Sequence, residues 1–302
     1  MVDPRPDAVE LTYPLRTAAR LTGLSPEVLR AWERRHGVGQ PLRTPGGTRR
    51  YRAADLERLR LVKAAVDAGH RIGQVAKLDL AELKRRAALA EAPTGLRLEG
   101  ILSALEELDA TEAQRLLSMQ LFALGPVRFA RELAAPLVQE IGERWADARM
   151  GIASEHLATG VLRSLLGSAL QPTVAAQLGP KIVFATPTGE RHEIGLQMAA
   201  LTAMGAGANP IYLGVELPVE DLLGAVENGG AAALALSLAT GPPARAERTI
   251  AAIRGGLREE VRLFVGGTGA NHVEIPGVER IDTLEAFEQR VTLLGFETTA
   301  TR

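Results

Sequence analysis

A histidine preceded two residues earlier by a carboxylate is a candidate metal ligand in this sequence. Glu190 and His192 lie in the segment Pro187-Thr-Gly-Glu-Arg-His-Glu-Ile-Gly195. An imidazole can bind a metal through one ring nitrogen while an acidic neighbour orients the other nitrogen. A single histidine in a loop is more often a solvated surface residue, so the pair alone is weak evidence for a site.

Small residues farther along the chain could let a ligand approach the backbone. Gly266 and Gly267 have no side chains to obstruct such an approach. Ser237 carries a hydroxyl that can donate or accept a hydrogen bond.

Arginines near the amino terminus have the spacing of a helix that reads DNA. Ser25 can cap this helix and Pro26 suits its first turn. Arg30, Arg34 and Arg35 fall away from its apolar face and can enter a major groove. In the alternative interpretation, individual arginines pair with nearby carboxylates. Those carboxylates are Glu27, Glu33 and Asp55.

A glycine turn between two basic arms follows this helix. Pro45-Gly46-Gly47 forms the turn within residues 43–51. Phosphate contacts are expected from Arg43, Arg49 and Arg50, with Tyr51 adding a polar tip. The arrangement predicts a wing beside the reading helix.

Composition limits what else the chain can be. Its 302 residues are 46% hydrophobic and 24% charged, which is typical of a globular protein. With no cysteine, the chain can form no disulfide, thiolate nucleophile, zinc finger or thioether-linked chromophore. We see neither an apolar run of roughly 20 residues that could cross a bilayer nor a secretory signal, and therefore expect a cytoplasmic protein without membrane association.

The net charge of −1 conceals an asymmetry along the chain. Residues 1–75 carry 14 basic and 8 acidic side chains, a net +6, which leaves −7 for the remainder. A basic head on an acidic body is expected when only the head contacts a polyanion. A solvated basic face without a ligand is the alternative, and charge alone does not separate the two.

Hydrophobic periodicity predicts three domains. Residues 1–90 read as short helices and a wing, a winged helix-turn-helix. Residues 91–172 begin with a linker at 91–95 and continue as a bundle of about four helices. Residues 173–302 alternate short apolar strands with helices, the pattern of a doubly wound, Rossmann-like parallel sheet. The predicted fold class is therefore multidomain, α and α/β.

The amino-terminal domain resembles the MerR family of transcription regulators. The resemblance is carried by Leu15-Arg-Thr-Ala-Ala-Arg-Leu-Thr-Gly-Leu-Ser-Pro-Glu-Val-Leu-Arg-Ala-Trp-Glu-Arg-Arg35 and by Arg43-Thr-Pro-Gly-Gly-Thr-Arg-Arg-Tyr51. Members of that family bind operator DNA as dimers or higher oligomers. The resemblance implies operator DNA and a second copy of the chain, in a dimer or tetramer, as partners.

The carboxy-terminal domain resembles the B12-binding signature Asp-x-His-x-x-Gly, Ser-x-Leu, Gly-Gly. The matching residues are Glu190, His192, Gly195, Ser237, Gly266 and Gly267. The resemblance implies that His192 is the lower axial ligand of cobalt and that Ser237, Gly266 and Gly267 line a slot for the nucleotide tail. Two positions depart from the pattern: Glu190 replaces aspartate and Ala239 replaces leucine.

The predicted bundle resembles that of B12-dependent photoreceptors of the CarH/LitR family. Trp145 is followed after nine residues by Glu155 and His156. The resemblance implies that these three side chains surround the upper, adenosyl-bearing face of adenosylcobalamin. Light-sensing members have a cobalt-capturing histidine after the tryptophan, where this chain has Ala146. His156 or water could take that role, the signal could be corrinoid level, or the space could hold another upper ligand or chromophore.

These features together predict a DNA-binding regulator, a repressor whose oligomeric state is set by cobalamin and light. One alternative is a corrinoid-carrying subunit of a methyltransferase, or a fragment of a mutase. The DNA-reading head, and the lack of room for a catalytic barrel of roughly 250 residues, argue against an enzyme. A further alternative is a MerR-type regulator that senses another tetrapyrrole or chromophore.

Overall fold

The structure, a computed structural model, describes residues 12–67, 70–91, 94–170 and 179–300. Its contacts divide the chain into two units, which we describe separately. One unit comprises residues 1–92 and 122–125, and the other comprises residues 93–121 and 126–302. No helix among the described residues is long and apolar enough to cross a membrane.

The first unit contains a three-stranded antiparallel sheet and a helix-turn-helix. Its elements are β1 (Thr12–Pro14), α1 (Leu15–Thr22), α2 (Pro26–His36), β2 (Leu42–Arg43), β3 (Arg49–Arg52), α3 (Ala53–Asp67), α4 (Ile72–Val75) and α5 (Leu80–Glu91). The strands lie in the order β1-β3-β2. The predicted winged helix-turn-helix is confirmed, whereas β1 was not predicted.

The turn between α1 and α2 follows from its sequence. Gly23 ends α1 in the left-handed conformation, with φ of 66°. The Ser25 hydroxyl accepts a hydrogen bond from the Val28 N–H at 3.2 Å and so caps α2. Leu29 is buried, and Trp32 packs half-buried against the same core. The sequence therefore specifies both ends of this turn locally.

Five helices between residues 94 and 169 form the predicted bundle. They are α6 (Thr94–Glu106), α7 (Ala110–Leu124), α8 (Pro126–Phe129), α9 (Ala135–Ala146) and α10 (Ile152–Ala169). A π-helical turn, Ala130–Ala134, joins α8 to α9 without a break. Pro136 explains this turn, because proline lacks an N–H and clashes with the carbonyl one turn earlier in a regular helix.

A parallel five-stranded sheet forms the rest of the second unit. Its strands are β4 (Lys181–Pro187), β5 (Asn209–Leu217), β6 (Ala233–Ser237), β7 (Arg262–Gly266) and β8 (Val278–Ile281), in the order β5-β4-β6-β7-β8. The helices between these strands are α11 (Ile194–Gly205), α12 (Val219–Gly229) and α13 (Pro243–Gly256), and α14 (Leu284–Ala300) follows β8. The predicted doubly wound sheet is confirmed, and β8 and α14 extend it beyond the predicted strands.

Both faces of this sheet are covered by helices. Val183 and Ala185 of β4 face a core shared with α12 and α13. Ile182 and Phe184 face the opposite core, which includes residues of α11 and α14. This alternation follows from the two-residue period of a strand and explains the nearly continuous apolar sequence of β4.

The domain boundaries predicted after residues 90 and 172 stay predictions. The ends of the expected linker at residues 91–95 are helical, since α5 ends at Glu91 and α6 begins at Thr94. The junction predicted at Gln171-Pro172 lies outside the described residues.

Candidate cofactor site and nucleic-acid interface

The candidate cofactor residues gather where the strand order of the sheet reverses. The chain leaves β4 toward α11 on one side and leaves β6 toward α13 on the other. Because β4 and β6 are adjacent and parallel, the loops after both strands meet at one edge of the sheet. Open α/β sheets bind their ligands at this position.

His192 lies in the loop after β4 with its ring held by Glu190. The Nδ1 atom of His192 lies 2.6 Å from Oε1 of Glu190, and the backbone N–H of His192 donates to the same oxygen at 2.9 Å. The imidazole is 61% exposed, whereas the Glu190 side chain is 3% exposed. A hydrogen bond at Nδ1 leaves Nε2 as the nitrogen available to a metal.

The second carboxylate oxygen of Glu190 binds the neighbouring loop. Oε2 accepts hydrogen bonds from the backbone N–H groups of Ala239 at 2.7 Å and Thr240 at 2.8 Å. Burial raises the pKa of Glu190, but hydrogen bonds from His192, Thr240 and Ala239 outweigh it, and the net shift is downward. Glu190 is therefore ionised and joins the loops after β4 and β6.

Thr186, at the end of β4, supports the same loop and was missed by the sequence analysis. Its buried hydroxyl donates to the Glu190 carbonyl oxygen at 2.5 Å and accepts from the Glu216 N–H at 3.0 Å. A lone hydroxyl residue near the end of an otherwise apolar strand was the available signal.

Replacing Glu190 with glutamine should weaken cobalamin binding by about 10–100-fold, the range for loss of a partner that orients a metal ligand. The amide cannot accept hydrogen bonds with both of its terminal atoms, so either His192 or the loop after β6 loses its partner. Titration of the purified protein with cobalamin, followed by absorbance, measures the effect. Glu216→Gln is the matched control, because Glu216 pairs only with Arg191 among the side chains described. Equal affinity of E190Q and wild type would contradict this role.

A cavity of about 150 Å³ opens beside the His192 loop. Its lining includes Gly195, Ser237, Gly266 and Gly267, together with Phe264 and Phe287. A Cβ added at Gly195 would lie 3.3 Å from Ser237 Oγ. The three residues that the resemblance places along a slot, Ser237, Gly266 and Gly267, thus line one cavity together with Gly195 of the same signature.

Gly267 is required by its backbone conformation and by the closeness of the loop after β6. Its φ is +93°, and an added Cβ would lie 2.3 Å from the carbonyl oxygen of Leu238. A side chain here would strain the chain and displace the loop after β6.

Gly267→Ala should therefore lower the free energy of unfolding by about 1–3 kcal/mol more than Gly207→Ala does, which is the typical cost of overpacking. Gly207 has a similar φ of +88° but nothing within 4 Å of its added Cβ, so it controls for backbone strain alone. Urea unfolding of the two cofactor-free variants makes the comparison, and equal losses would contradict the clash.

The bundle residues of the candidate site flank the short loop between α9 and α10. Trp145 is 57% exposed at the end of α9. In α10 Glu155 accepts from the Thr159 hydroxyl at 3.1 Å, and His156 Nδ1 lies 3.4 Å from Glu155 Oε2. His156 is 74% exposed. These groups have apolar area, hydrogen-bonding atoms and solvent access available for a ligand.

The loop itself is closed by backbone hydrogen bonds. The N–H groups of Arg149 and Met150 both donate to the carbonyl oxygen of Arg144, at 2.7 and 3.1 Å. Ala148 adopts a φ of +56°. Ala146, the last residue of α9, is exposed. A methyl group at this position offers no metal-binding atom.

The residues of the sheet domain fit a corrinoid with its own base displaced. His192 offers a free imidazole nitrogen whose ring is oriented from below by a buried carboxylate. The adjacent cavity is lined by Gly195, Gly266 and Gly267, which place no side chain in it. A nitrogen ligand beside a narrow, largely apolar slot is the donor set that such a cofactor needs.

The candidate nucleic-acid interface lies on α2 and the wing of the first unit. The side chains of Arg30, Arg34 and Arg35 are exposed on α2, where Arg30 interacts electrostatically with Glu27. Glu33, on the same helix, accepts from Arg43 at 3.3 Å and from Arg49 at 2.6 Å. The alternative interpretation, in which an arginine pairs with a nearby carboxylate, is therefore correct for Arg43 and Arg49. Their pairing with Glu33 holds the wing beside α2.

The wing differs from the prediction at Tyr51. Its side chain is fully buried in the core, so it cannot supply the expected polar tip. In β3 the neighbouring arginines face away from the core, and the alternation of the strand turns Tyr51 inward. Arg50 donates to the Thr12 hydroxyl and carbonyl, each at 3.1 Å, which ties β3 to β1. Tyr51 is a structural residue of the wing.

Three sequence-family profiles match the chain in the order of these elements. The profile described as MerR HTH family regulatory protein matches residues 13–82. Two profiles described as B12 binding domain match residues 97–169 and 180–275. A monomethylamine corrinoid protein of Methanosarcina barkeri shares the fold over 67% of this chain and 99% of its own, with a TM-score of 0.55 at 14% identity.

Two relatives match the chain over most of its length, and both are transcription regulators rather than enzymes. The HTH-type transcriptional repressor CarH of Myxococcus xanthus is 35% identical, over 86% of this chain and 90% of its own. The repressor CarA of the same organism is 30% identical, over 86% of this chain and 88% of its own. Matching spans the DNA-binding head, the bundle and the sheet, so the chain belongs to the CarH-like family of MerR-type, cobalamin-binding transcription regulators.

Proposed function

We propose that this regulator is a repressor in which adenosylcobalamin, and its photolysis by light, set the oligomeric state and hence the affinity for operator DNA. The observation that carries the proposal is the His192 ring, oriented by buried Glu190 beside a glycine-lined cavity, in a chain that also bears a DNA-reading helix. The relatives CarH and CarA are both named as transcriptional repressors, which supports repression rather than activation by this chain.

His192 and the cavity would hold the lower side of the cofactor. The Nε2 atom of His192 would bind cobalt, while Glu190 keeps the ring in place through Nδ1. Ser237, Gly266 and Gly267 would receive the nucleotide tail in the adjacent cavity. When bound, adenosylcobalamin supplies a cobalt–carbon bond that visible light can break.

The bundle residues would hold the upper side. The exposed indole of Trp145 would cover the adenosyl group with apolar surface. Glu155 and His156 have free hydrogen-bonding capacity for a ribose or an adenine. Ala146 has no atom that could bind cobalt after photolysis. Of the bundle residues assigned to the upper side, His156 on α10 would then be the one histidine that could do so.

Control through oligomeric state follows from multivalent binding. Two or four linked heads bind neighbouring half-sites with a higher effective concentration than single heads do. A change in the bundle that separates copies of the chain would then reduce operator affinity by orders of magnitude without altering α2 or the wing.

Gel filtration and an operator mobility shift, each with no cofactor, with adenosylcobalamin in the dark and after illumination, test the proposal. We expect adenosylcobalamin to change the elution volume and the operator affinity, and light to reverse both changes. The absorption spectrum recorded in parallel identifies the bound chromophore. The proposal would be refuted if neither the elution volume nor the operator affinity changed with cobalamin or with light.

Ala146 favours a second candidate function, that of a sensor of corrinoid level. In this case adenosylcobalamin changes the oligomeric state in the same way, but light does not reverse it. Substitution Ala146→His separates the two candidates, because it restores a ligand at the position that the light-sensing pattern uses. A light response gained by A146H and absent from wild type would establish the second candidate.

A further inference from the structure

Four polar side chains join the last helix of the bundle to the residue that follows His192. The Nε atom of Arg163, in α10, lies 2.6 Å from Oε1 of Glu193. The hydroxyl of Tyr212, in β5, donates to Oε2 of Glu193 at 3.1 Å. Gln197 in α11 donates through Nε2 to the carbonyl oxygen of Arg163 at 3.4 Å. Two elements of the second unit, α10 and β5, thus meet at the Glu193 carboxylate, and α11 contacts the backbone of α10 beside it.

Part of this cluster is shielded from water. The Glu193 side chain is 18% exposed and Gln197 is 4% exposed. Burial, followed by the charge of Glu193, raises the pKa of Tyr212, so its hydroxyl keeps the proton that it donates. The Arg163 side chain is 54% exposed, so the shielding lies on the Glu193 side of the pair, where the carboxylate also accepts from Tyr212.

The same helix carries the candidate residues for the upper side of the cofactor. Glu155, Thr159 and Arg163 follow one another at intervals of four residues and lie along one side of α10. The Thr159 hydroxyl links this row to Glu155 at 3.1 Å. Eight residues of helix span about 12 Å, so α10 is a rigid spacer between Glu155 and the Arg163–Glu193 pair.

We propose that Arg163 and Glu193 are positioning residues that fix α10 against the His192 loop and thereby set the preference for the adenosyl group of the cofactor. The inference rests on the proposed function. Neither residue is assigned a contact with the cofactor. Their effect is to hold Glu155 and His156 on α10 in a fixed relation to the loop that carries His192.

A neighbouring ion pair provides a matched control. Arg191 pairs with Glu216 at 2.9 Å, on the other side of His192 in the same loop. This pair joins the loop to β5 and does not involve the bundle. Arg191→Met therefore removes an arginine from the His192 loop without releasing α10.

The test measures the affinities of the full-length protein for adenosylcobalamin and hydroxocobalamin in the dark. The variants are Arg163→Met, Glu193→Gln, their combination and Arg191→Met. We expect R163M and E193Q each to weaken adenosylcobalamin binding about tenfold, and hydroxocobalamin binding by less than about threefold. The double variant should lose no more than either single variant, since both remove one interaction. R191M should match wild type, and Arg163→Lys should recover part of the loss.

Three results would overturn the inference. Unchanged affinity of R163M for adenosylcobalamin would show that the ion pair positions nothing relevant to binding. Equal losses for both cobalamins would show that it supports only the His192 loop. Binding of neither cobalamin by wild type would instead remove the proposed function, and with it the basis of the inference.

Thermal unfolding of the cofactor-free variants gives a readout independent of cobalamin. The Arg163–Glu193 pair should show non-additive losses of stability in a double-mutant cycle, whereas Arg163 and Arg191 should be additive. Additivity of R163M and E193Q would contradict the coupling seen in the structure.

Discussion

Replacement of His192 by alanine is expected to lower the affinity for cobalamin by more than about 100-fold, beyond the range for partners that only orient a metal ligand. The reason is that Nε2 of His192 is the nitrogen that the Glu190 hydrogen bond leaves available to cobalt. In wild type the bound cofactor should show the spectrum of a corrinoid whose own base is displaced by imidazole. In H192A this spectrum should be lost.

The fold should survive this substitution, which makes the binding result interpretable. The imidazole is 61% exposed, and its backbone N–H keeps the hydrogen bond to Glu190. The free energy of unfolding should fall by about 1 kcal/mol, the typical worth of one hydrogen bond. His272→Ala is the matched control, because His272 is also an exposed histidine of the sheet domain. An imidazole-ligated spectrum in H192A would assign the lower ligand to another residue.

The second large effect is expected in DNA binding, from the double substitution Arg30→Ala and Arg34→Ala. These arginines lie four residues apart on α2 and are exposed. Each arginine that contacts a base contributes about 1–3 kcal/mol, so their combined loss should weaken operator binding by at least about 30-fold. A mobility shift at fixed salt concentration, with unrelated DNA as a competitor, measures affinity and specificity together.

The stability of this variant should change little, because both arginines are exposed, Arg30 has only an electrostatic interaction with the exposed Glu27, and alanine favours a helix. Arg85→Ala is the control. Arg85 is exposed on α5 of the same unit and pairs with Glu82. Operator affinity that is equal in R30A/R34A and R85A would show that α2 does not read the operator.

Local sequence was sufficient for elements whose ends carry their own signals. Ser25, Pro26 and Gly23 mark the turn between α1 and α2, and the structure places the cap and the left-handed residue there. The β4 strand is apolar on both faces because helices cover both, which made the parallel sheet visible as well.

Elements defined by distant partners were not visible in the sequence. β1 has three residues and exists because it pairs with β3, whose residues lie nearly forty positions later. β8 contains Glu279 and Arg280 and lacks the apolar run of the central strands, as suits the edge of a sheet. Tyr51 was wrongly predicted to face DNA because the sequence does not show which face of β3 packs against the core.

By itself the sequence determined the kind of chemistry and its order along the chain: a basic reading helix, a helical middle and an imidazole with a carboxylate two residues before it. These follow from residue type and short spacing, which act locally. Only the tertiary structure decided that both oxygens of Glu190 are used, one by the ring and one by the loop after β6, and that Arg163 binds the residue next to His192. Such contacts depend on which strands and helices become neighbours, and that arrangement is fixed by burial of apolar surface across the whole chain.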